Sequence, residues 1–227
     1  MSEEYAYGMW VIAAFNVGLF LFFILSFIKP TKKIEWRNMG IVTAFLIALF
    51  TEMYGFPLTI YLLTGWLGDA YPVLQPYTHK YGHLWVVVFG GSTMAWILVM
   101  GISLLFMLAG YTLMSKGWKA VHGAHGQIVT DGVYAYVRHP QYTGLFLLII
   151  GFLIQWPTFL TVLMAPILVF AYVHLSRKEE RGMHEHFNDN YKSYADQKPM
   201  FFPSFGQWWS FLTTPVGSMD YKADPDQ

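Results

Sequence analysis

Residues 142–175 read YTGLFLLIIGFLIQWPTFLTVLMAPILVFAYVHL and contain no Asp, Glu, Lys or Arg. The stretch is too long for one membrane-spanning helix, which needs about 20 apolar residues. Gln155, Trp156 and Pro157 interrupt it, and proline cannot continue the interior of a helix. We therefore predict two antiparallel helices joined in a tight hairpin, with both free ends on one side of a membrane.

Three other apolar runs precede the hairpin, at residues 9–28, 39–63 and 84–114. Each is long enough to cross a bilayer, and the third must tilt or project beyond it. Together with the hairpin they predict an all-α, polytopic transmembrane bundle of about five spans. After the hairpin the chain is polar, except for an aromatic patch at residues 205–211 that can lie in the membrane interface. The last ten residues or so are predicted to be a disordered tail.

The basic residues between the spans predict one orientation. Cytoplasmic loops carry an excess of Lys and Arg. The basic segments 29–37, 116–138 and 177–181 all fall on the same side of the predicted bundle, whereas the acidic N-terminus and the loop 64–82 fall on the other. We therefore expect the N-terminus outside and the C-terminus in the cytoplasm.

Composition excludes several kinds of function. Only 12% of the residues are charged, against about 25% in soluble domains. The formal net charge is zero, and no basic stripe of the kind that binds nucleic-acid phosphates is present. Cysteine is absent, which excludes a disulfide framework, a thiolate nucleophile and a Cys-ligated metal.

Two polar clusters flank the hairpin, so its two helices should bring them together: residues 131–144, and residues 177–181 with the aromatic residues at 187, 191 and 194 that follow. In the second cluster, i, i+3, i+4 and i+7 spacing places four polar side chains on one helical face. Such a face can hold a zwitterion, because guanidinium binds carboxylate and glutamate binds ammonium or ribose hydroxyls. The alternatives are a solvated, salt-bridged helix for this face, lipid-headgroup anchoring for Arg138 and His139, and close helix packing for Gly144. The four face residues are Arg177, Glu180, Arg181 and His184.

Glu52 lies near the middle of the second apolar run, beside Tyr54. A carboxyl group at membrane depth usually faces the protein interior or a cavity. We predict that Glu52 and Tyr54 line a substrate pocket; the alternative is an interhelical hydrogen bond from Glu52, for instance to Asn16. Pro57 is expected to kink this helix.

Two histidine pairs have spacings that can hold a metal ion. His79 and His83 are four residues apart, and His122 and His125 are three apart. No third ligand is evident for either pair, so we predict no metal site.

The order and spacing of the motifs in residues 131–205 resemble the isoprenylcysteine carboxyl methyltransferases and the related phospholipid methyltransferases. An Arg-His-Pro-x-Tyr-x-Gly element is followed by some thirty apolar residues with a central break, then by two glutamates, three aromatic residues and a proline-flanked ending. The residues of these elements are Arg138, His139, Pro140, Tyr142 and Gly144, then Glu179 and Glu180, then Phe187, Tyr191 and Tyr194, then residues 199–203.

The resemblance implies a methyltransferase that binds S-adenosylmethionine on the cytoplasmic side, in a catalytic core at residues 115–205. The three-span region 1–114 precedes this core, and the aromatic patch and polar tail, 206–227, follow it. The resemblance also implies that Arg177, Glu180 and Arg181 orient the substrate or take part in catalysis. The residues implied at the cofactor are Tyr136, Arg138, His139, Tyr142, Gly144, Glu179, Glu180, Tyr191 and Tyr194.

This sequence departs from the family pattern at Val133, Asn188 and Met200, where proline, glycine and arginine are frequent. The acceptor should be lipophilic or reach the site from the membrane; a carboxylate, a thiol and an amine all stay open, as does the oligomeric state. Two other functions stay open. Membrane sterol reductases, which use NADPH, share the Arg-His-Pro element but usually have Asn at position 141 and Glu at position 145. Glu52 and the histidine pairs would also suit a small transporter or a metal- or haem-handling protein.

Overall fold

The computed structural model describes residues 7–67, 78–124 and 127–216, and in these ranges the only regular structure is helical. The predicted all-α class is confirmed. Four helical segments are long and apolar enough to cross a membrane: Trp10–Phe27, Lys33–Gly55, Thr93–Gly123 and Phe159–Gln197. The protein is therefore a multi-pass membrane protein, whereas the predicted orientation of its termini stays a prediction. The chain divides into two compact units, Met1–Met107 with Ile149–Val173 and Leu108–Leu148 with His174–Gln227.

The first apolar run forms helix α1 (Trp10–Phe27), as predicted. The second does not form one kinked helix. Helix α2 (Lys33–Phe50) continues into a π-helical turn, Thr51–Gly55, and stops at the extended Phe56. The residue before a proline is driven out of the helical region, so Pro57 ends α2 instead of bending it. Helix α3 (Leu58–Leu67) then begins anew.

The third predicted span is also divided. A short helix α4 (Leu84–Val88) is followed by a turn, and the long helix α5 begins only at Thr93 and runs to Gly123. Gly90 and Gly91 both have positive φ, +84° and +68°, which glycine adopts at little cost. This turn divides an apolar run that the sequence predicts to be one continuous span.

The predicted hairpin is confirmed. Helix α6 (Pro140–Gln155) and helix α7 (Phe159–Gln197) are separated by Trp156, Pro157 and Thr158. In the first unit the Trp156 ring is buried against Gly82, in space that a methyl group on that glycine would fill. At about 1.5 Å per residue α6 is shorter than the hydrocarbon core. The five predicted spans therefore correspond to four long helices and this shorter one.

The second unit holds the end of α5, the start of α6, the C-terminal part of α7 and the segment that follows α7. Two short 3₁₀ turns, Gly132–Ala135 and Phe205–Gln207, precede α6 and the last helix, α8 (Trp208–Thr213). The aromatic patch predicted at residues 205–211 spans this second turn and the start of α8. The predicted disordered tail lies outside the described residues.

Candidate functional site

Side chains at the start of α6 and in the middle of α7 form a charged cluster within the second unit. The Arg138 Nε atom lies 3.1 Å from Glu180 Oε1, and the His139 Nε2 atom lies 3.0 Å from the same oxygen. The His139 Nδ1 atom faces Glu179 Oε2 at 3.7 Å, and the Tyr142 hydroxyl donates to Glu179 Oε1 at 2.6 Å. Five of the predicted site residues therefore come together, although they lie in distant parts of the sequence: two just before α6, one in α6 and two in α7.

The segment 199–201 fixes the backbone of this cluster. The Arg138 amide donates to the Pro199 carbonyl, and the His139 amide donates to the Met200 carbonyl, both at 3.0 Å. The Thr143 hydroxyl donates to the Phe201 carbonyl at 2.6 Å. Position 200 contributes through its backbone, which any residue supplies, so methionine in place of the frequent arginine leaves these contacts intact.

The predicted tyrosines lie around the cluster in different roles. The Tyr194 hydroxyl donates to the Tyr134 carbonyl at 2.8 Å. Tyr191 is buried, with its ring centroid 6.0 Å from that of Tyr194. The Tyr136 hydroxyl accepts a bond from Thr214 Oγ1 at 3.2 Å. Burial raises the pKa of the Tyr134 phenol, so this group stays neutral. The tyrosines hold the loop before α6 against α7 and the C-terminal segment.

Gly144 lies where α6 crosses α5. A Cβ atom at Gly144 would stand 2.6 Å from the Gly110 carbonyl oxygen and 3.0 Å from the Met114 amide nitrogen. Close helix packing is therefore a sufficient reason for glycine at this position. Its place in a cofactor pocket stays a prediction.

Arg177 and Arg181 differ from their neighbour Glu180 in exposure. Both arginines are exposed, as is His184, whereas only 12% of the Glu180 side chain is exposed. The predicted polar face is therefore shared between solvent and the cluster. A role of the two arginines in orienting the substrate stays a prediction.

Glu52 and Tyr54 belong to the first unit. Glu52 is 3% exposed, and its Oε2 atom accepts the Thr59 amide at 2.8 Å. Its Oε1 atom is buried and has no hydrogen-bond partner among the described residues. Asn16 donates to the Ile12 carbonyl of its own helix, so the suggested bond to Glu52 is replaced by the one to Thr59. The π-helical turn that carries Glu52 is a geometry often found at functional sites.

His79 and His83 are part of an aromatic cluster in the first unit. The His79 ring centroid lies 4.5 Å from that of Trp156 and 5.4 Å from that of Tyr54, and the His83 Nδ1 atom is 2.8 Å from the Gln155 carbonyl oxygen. No group of three or more metal-ligating side chains occurs among the described residues. His125, of the other pair, lies outside them.

Stability should depend on pH through His79. Burial, with the neighbouring His83, lowers the pKa of His79 from 6.5 to about 4. The unfolded chain takes up this proton at a higher pH than the folded protein does, so stability is retained above pH 6.5 and falls between 6.5 and about 4. We expect the melting temperature to fall as the pH is lowered from 6.5 towards 5.

The control is His79→Phe, which keeps an aromatic ring but cannot titrate. Its melting temperature should change less than that of the wild type over the same range. Equal slopes for the two proteins would contradict the assignment to His79.

Two comparisons identify what this arrangement is similar to. Residues 89–190 match the family model of phospholipid methyltransferases. The resemblance to this group of methyltransferases is confirmed. The matched range includes the cluster residues of α6 and α7, whereas the segment 199–201 lies beyond it.

A curated relative gives the same indication. The chain is 32% identical over 77 residues to the protein-S-isoprenylcysteine O-methyltransferase of Schizosaccharomyces pombe. The aligned part is 34% of this chain and 33% of the relative, so the chain spans about a third of the length of that protein. No solved structure gives a significant match.

Several contacts were not predicted from the sequence. The segment 199–201 acts through its backbone carbonyls, which leave no side-chain signature, and the Thr143 hydroxyl donates to one of them. The Lys116 ammonium group donates to the carbonyls of Leu212 and Thr214, both at 2.6 Å, whereas the sequence indicates only that Lys116 belongs to a basic segment. Its position at the end of the apolar run of α5 is the signal that could have singled it out.

Proposed function

We propose that the protein transfers a methyl group from S-adenosylmethionine to a lipophilic or membrane-accessible acceptor. The observation that carries this proposal is the cluster of Arg138, His139, Glu179 and Glu180, within a segment that matches a methyltransferase family. Both matches are to methyltransferases, and neither is to a sterol reductase or a transporter.

The donor set of the cluster suits this cofactor. Glu179 and Glu180 can accept hydrogen bonds from an ammonium group or from ribose hydroxyls, and the guanidinium of Arg138 can bind a carboxylate. The two carboxylates face the single guanidinium of Arg138 in this cluster, and a carboxylate attracts a cation nearby. The Glu179 side chain is 35% exposed and therefore open to a ligand.

The chemistry that S-adenosylmethionine supplies is a methyl group on a cationic sulfur, open to direct attack by the acceptor. The protein contributes chiefly by positioning, which can lower the barrier by several kcal/mol, about 7 or more when orientation is optimal. A carboxylate or thiolate acceptor needs no base. An amine acceptor needs one, and Glu180, His139 and His184 are the candidates. The first two belong to the charged cluster, whereas His184 is exposed.

The test is calorimetric titration of the detergent-purified protein with S-adenosylhomocysteine, with NADPH titrated in parallel. We expect saturable binding of S-adenosylhomocysteine and no binding of NADPH. Methyl transfer from labelled S-adenosylmethionine into a lipid extract then screens the acceptor classes. Failure of a well-folded protein to bind S-adenosylhomocysteine would overturn the proposal, and binding of NADPH instead would favour the reductase.

We also propose that Glu52 contacts the acceptor, because its buried Oε1 atom has no hydrogen-bond partner among the described residues. In Glu52→Gln the side-chain oxygen can still accept the Thr59 amide, so the fold should be kept. Loss of one charge-assisted hydrogen bond is worth about 1.5–3 kcal/mol, which predicts a rise in the acceptor KM of roughly 10-fold or more.

The affinity for S-adenosylhomocysteine should not change in this variant, which separates the two predictions. An unchanged acceptor KM in a protein with the wild-type melting temperature would show that Glu52 is structural.

A further inference from the structure

The segment that follows α7 has one buried side and one exposed apolar side. Residues 199–216 contain no Asp, Glu, Lys or Arg. The Phe211 ring is fully buried, with its centroid 5.7 Å from that of Tyr136. Trp209 is 79% exposed and Phe205 95% exposed, and Phe202 is also exposed. Side chains two residues apart on a helix are separated by roughly 200° around its axis, so Phe211 and Trp209 point in nearly opposite directions.

Lys116 sets the depth in the membrane at which this segment is attached to α5. Residues 84–115 contain no charged side chain, and Lys116 is the first one after this run. An apolar run of this kind ends where the helix leaves the hydrocarbon core. The Lys116 ammonium group donates to the carbonyls of Leu212, the next-to-last residue of α8, and of Thr214, the residue that follows α8. Helix α8 is therefore tied to α5 at the depth of a membrane interface.

We propose that the exposed face of residues 202–213 binds the boundary between lipid headgroups and acyl chains, and so acts as an interfacial anchor. Trp and other amphipathic rings are enriched at this depth, and apolar faces there are buried about 5–10 Å into the boundary. Exposed aromatic side chains without neighbouring charge would be unfavourable in water. The attachment at Lys116 selects the bilayer as occupant over a second copy of the chain.

The anchor would hold the segment 199–201 in place, because the same stretch of chain carries both. Its carbonyls accept the amides of Arg138 and His139 and the hydroxyl of Thr143. The anchor itself does not depend on the proposed methyl transfer, and it is tested without measuring activity.

The absence of cysteine from the chain allows a direct test. Single-cysteine variants of the full chain, labelled with an environment-sensitive fluorophore, are reconstituted into phosphatidylcholine vesicles that contain nitroxide lipids. Trp209→Cys tests the exposed face, and Thr213→Cys tests it with every aromatic ring retained. Leu105→Cys, in the exposed apolar part of α5, is the control for the hydrocarbon core, and Lys192→Cys is the control for water.

The labels at positions 209 and 213 should lose about half of their emission, because the boundary lies within about 10 Å of an anchored face. Quenching should be stronger with the nitroxide near the headgroup than near the methyl end of the acyl chain, and the reverse should hold at position 105. The proposal is overturned if neither nitroxide lipid quenches the labels at positions 209 and 213, as is expected for the label at position 192. A blue-shifted emission without quenching would also overturn it, because it would indicate burial against another protein.

The attachment is tested in the Thr213→Cys background with Lys116→Met, and with Lys119→Met, an exposed lysine on the same helix, as the matched control. A spin label at position 213 should become more mobile only when Lys116 is replaced. Equal mobility in both variants would show that Lys116 does not set the position of α8.

Discussion

Replacing Glu180 by glutamine should weaken the binding of S-adenosylhomocysteine by about 100-fold, since charge-assisted hydrogen bonds contribute about 1.5–3 kcal/mol each. One carboxylate oxygen lies within 3.1 Å of both the Arg138 guanidinium and the His139 ring. The amide of glutamine is neutral and brings its own N–H donors towards these two donors. The measurement is calorimetric titration in detergent.

The matched control for this prediction is Glu185→Gln. Glu185 lies on the same helix and undergoes the same chemical change, but it is exposed. Its variant should bind with wild-type affinity. Similar losses of affinity in the two variants would show that the overall charge of α7 determines binding. Unchanged affinity in Glu180→Gln would show that the cluster does not bind the cofactor. Melting temperatures of both variants show whether the fold is kept.

The hairpin could be predicted from the sequence because its cause is local. The uncharged stretch is too long for one span, and Gln155 and Pro157 interrupt it near its middle. Proline alone does not decide the break, because α7 continues through Pro166. Once the hairpin is formed, the residues before α6 and those in the middle of α7 must meet. The contacts of Arg138 with Glu180 and of Tyr142 with Glu179 follow from that geometry.

The family pattern at position 188 also has a local physical cause that only the structure shows. Asn188 has φ +44° and ψ −124°, a positive φ that side chains disfavour and glycine accepts easily. The residue interrupts α7, which continues to Gln197 on the far side. Asparagine is tolerated at positive φ mainly in the left-handed helical region, which a ψ of −124° lies outside, so this conformation favours the glycine that is frequent in the family.

The parts of the site that the sequence did not predict depend on backbone groups and distant partners. Carbonyls of residues 199–201 accept hydrogen bonds from the loop and first turn of α6, and any residue type offers the same carbonyl. Lys116 binds carbonyls nearly a hundred positions away in the chain. The environment of Glu52 is also set by a backbone group: its Oε2 atom accepts the Thr59 amide, and its Oε1 atom has no hydrogen-bond partner among the described residues.

Replacing Gly144 by alanine should lower the melting temperature by roughly 5 °C, since overpacking costs about 1–3 kcal/mol and each kcal/mol is worth about 2–4 °C in a chain of this size. The new Cβ atom would stand 2.6 Å from the Gly110 carbonyl oxygen and 3.0 Å from the Met114 amide. Both are backbone atoms, which cannot rotate away as a side chain can. Helices α5 and α6 must therefore separate. Intrinsic tryptophan fluorescence during heating measures the change.

The control Gly182→Ala introduces the same methyl group into α7, where nothing lies within 4 Å of the new Cβ atom. Its melting temperature should stay the same or rise, because alanine favours helix over glycine by about 1 kcal/mol. The affinity for S-adenosylhomocysteine then separates the two interpretations of Gly144. A destabilised Gly144→Ala protein that still binds with wild-type affinity would establish packing as the reason for this glycine. A stable variant with weakened binding would place Gly144 at the cofactor, as the family resemblance implies.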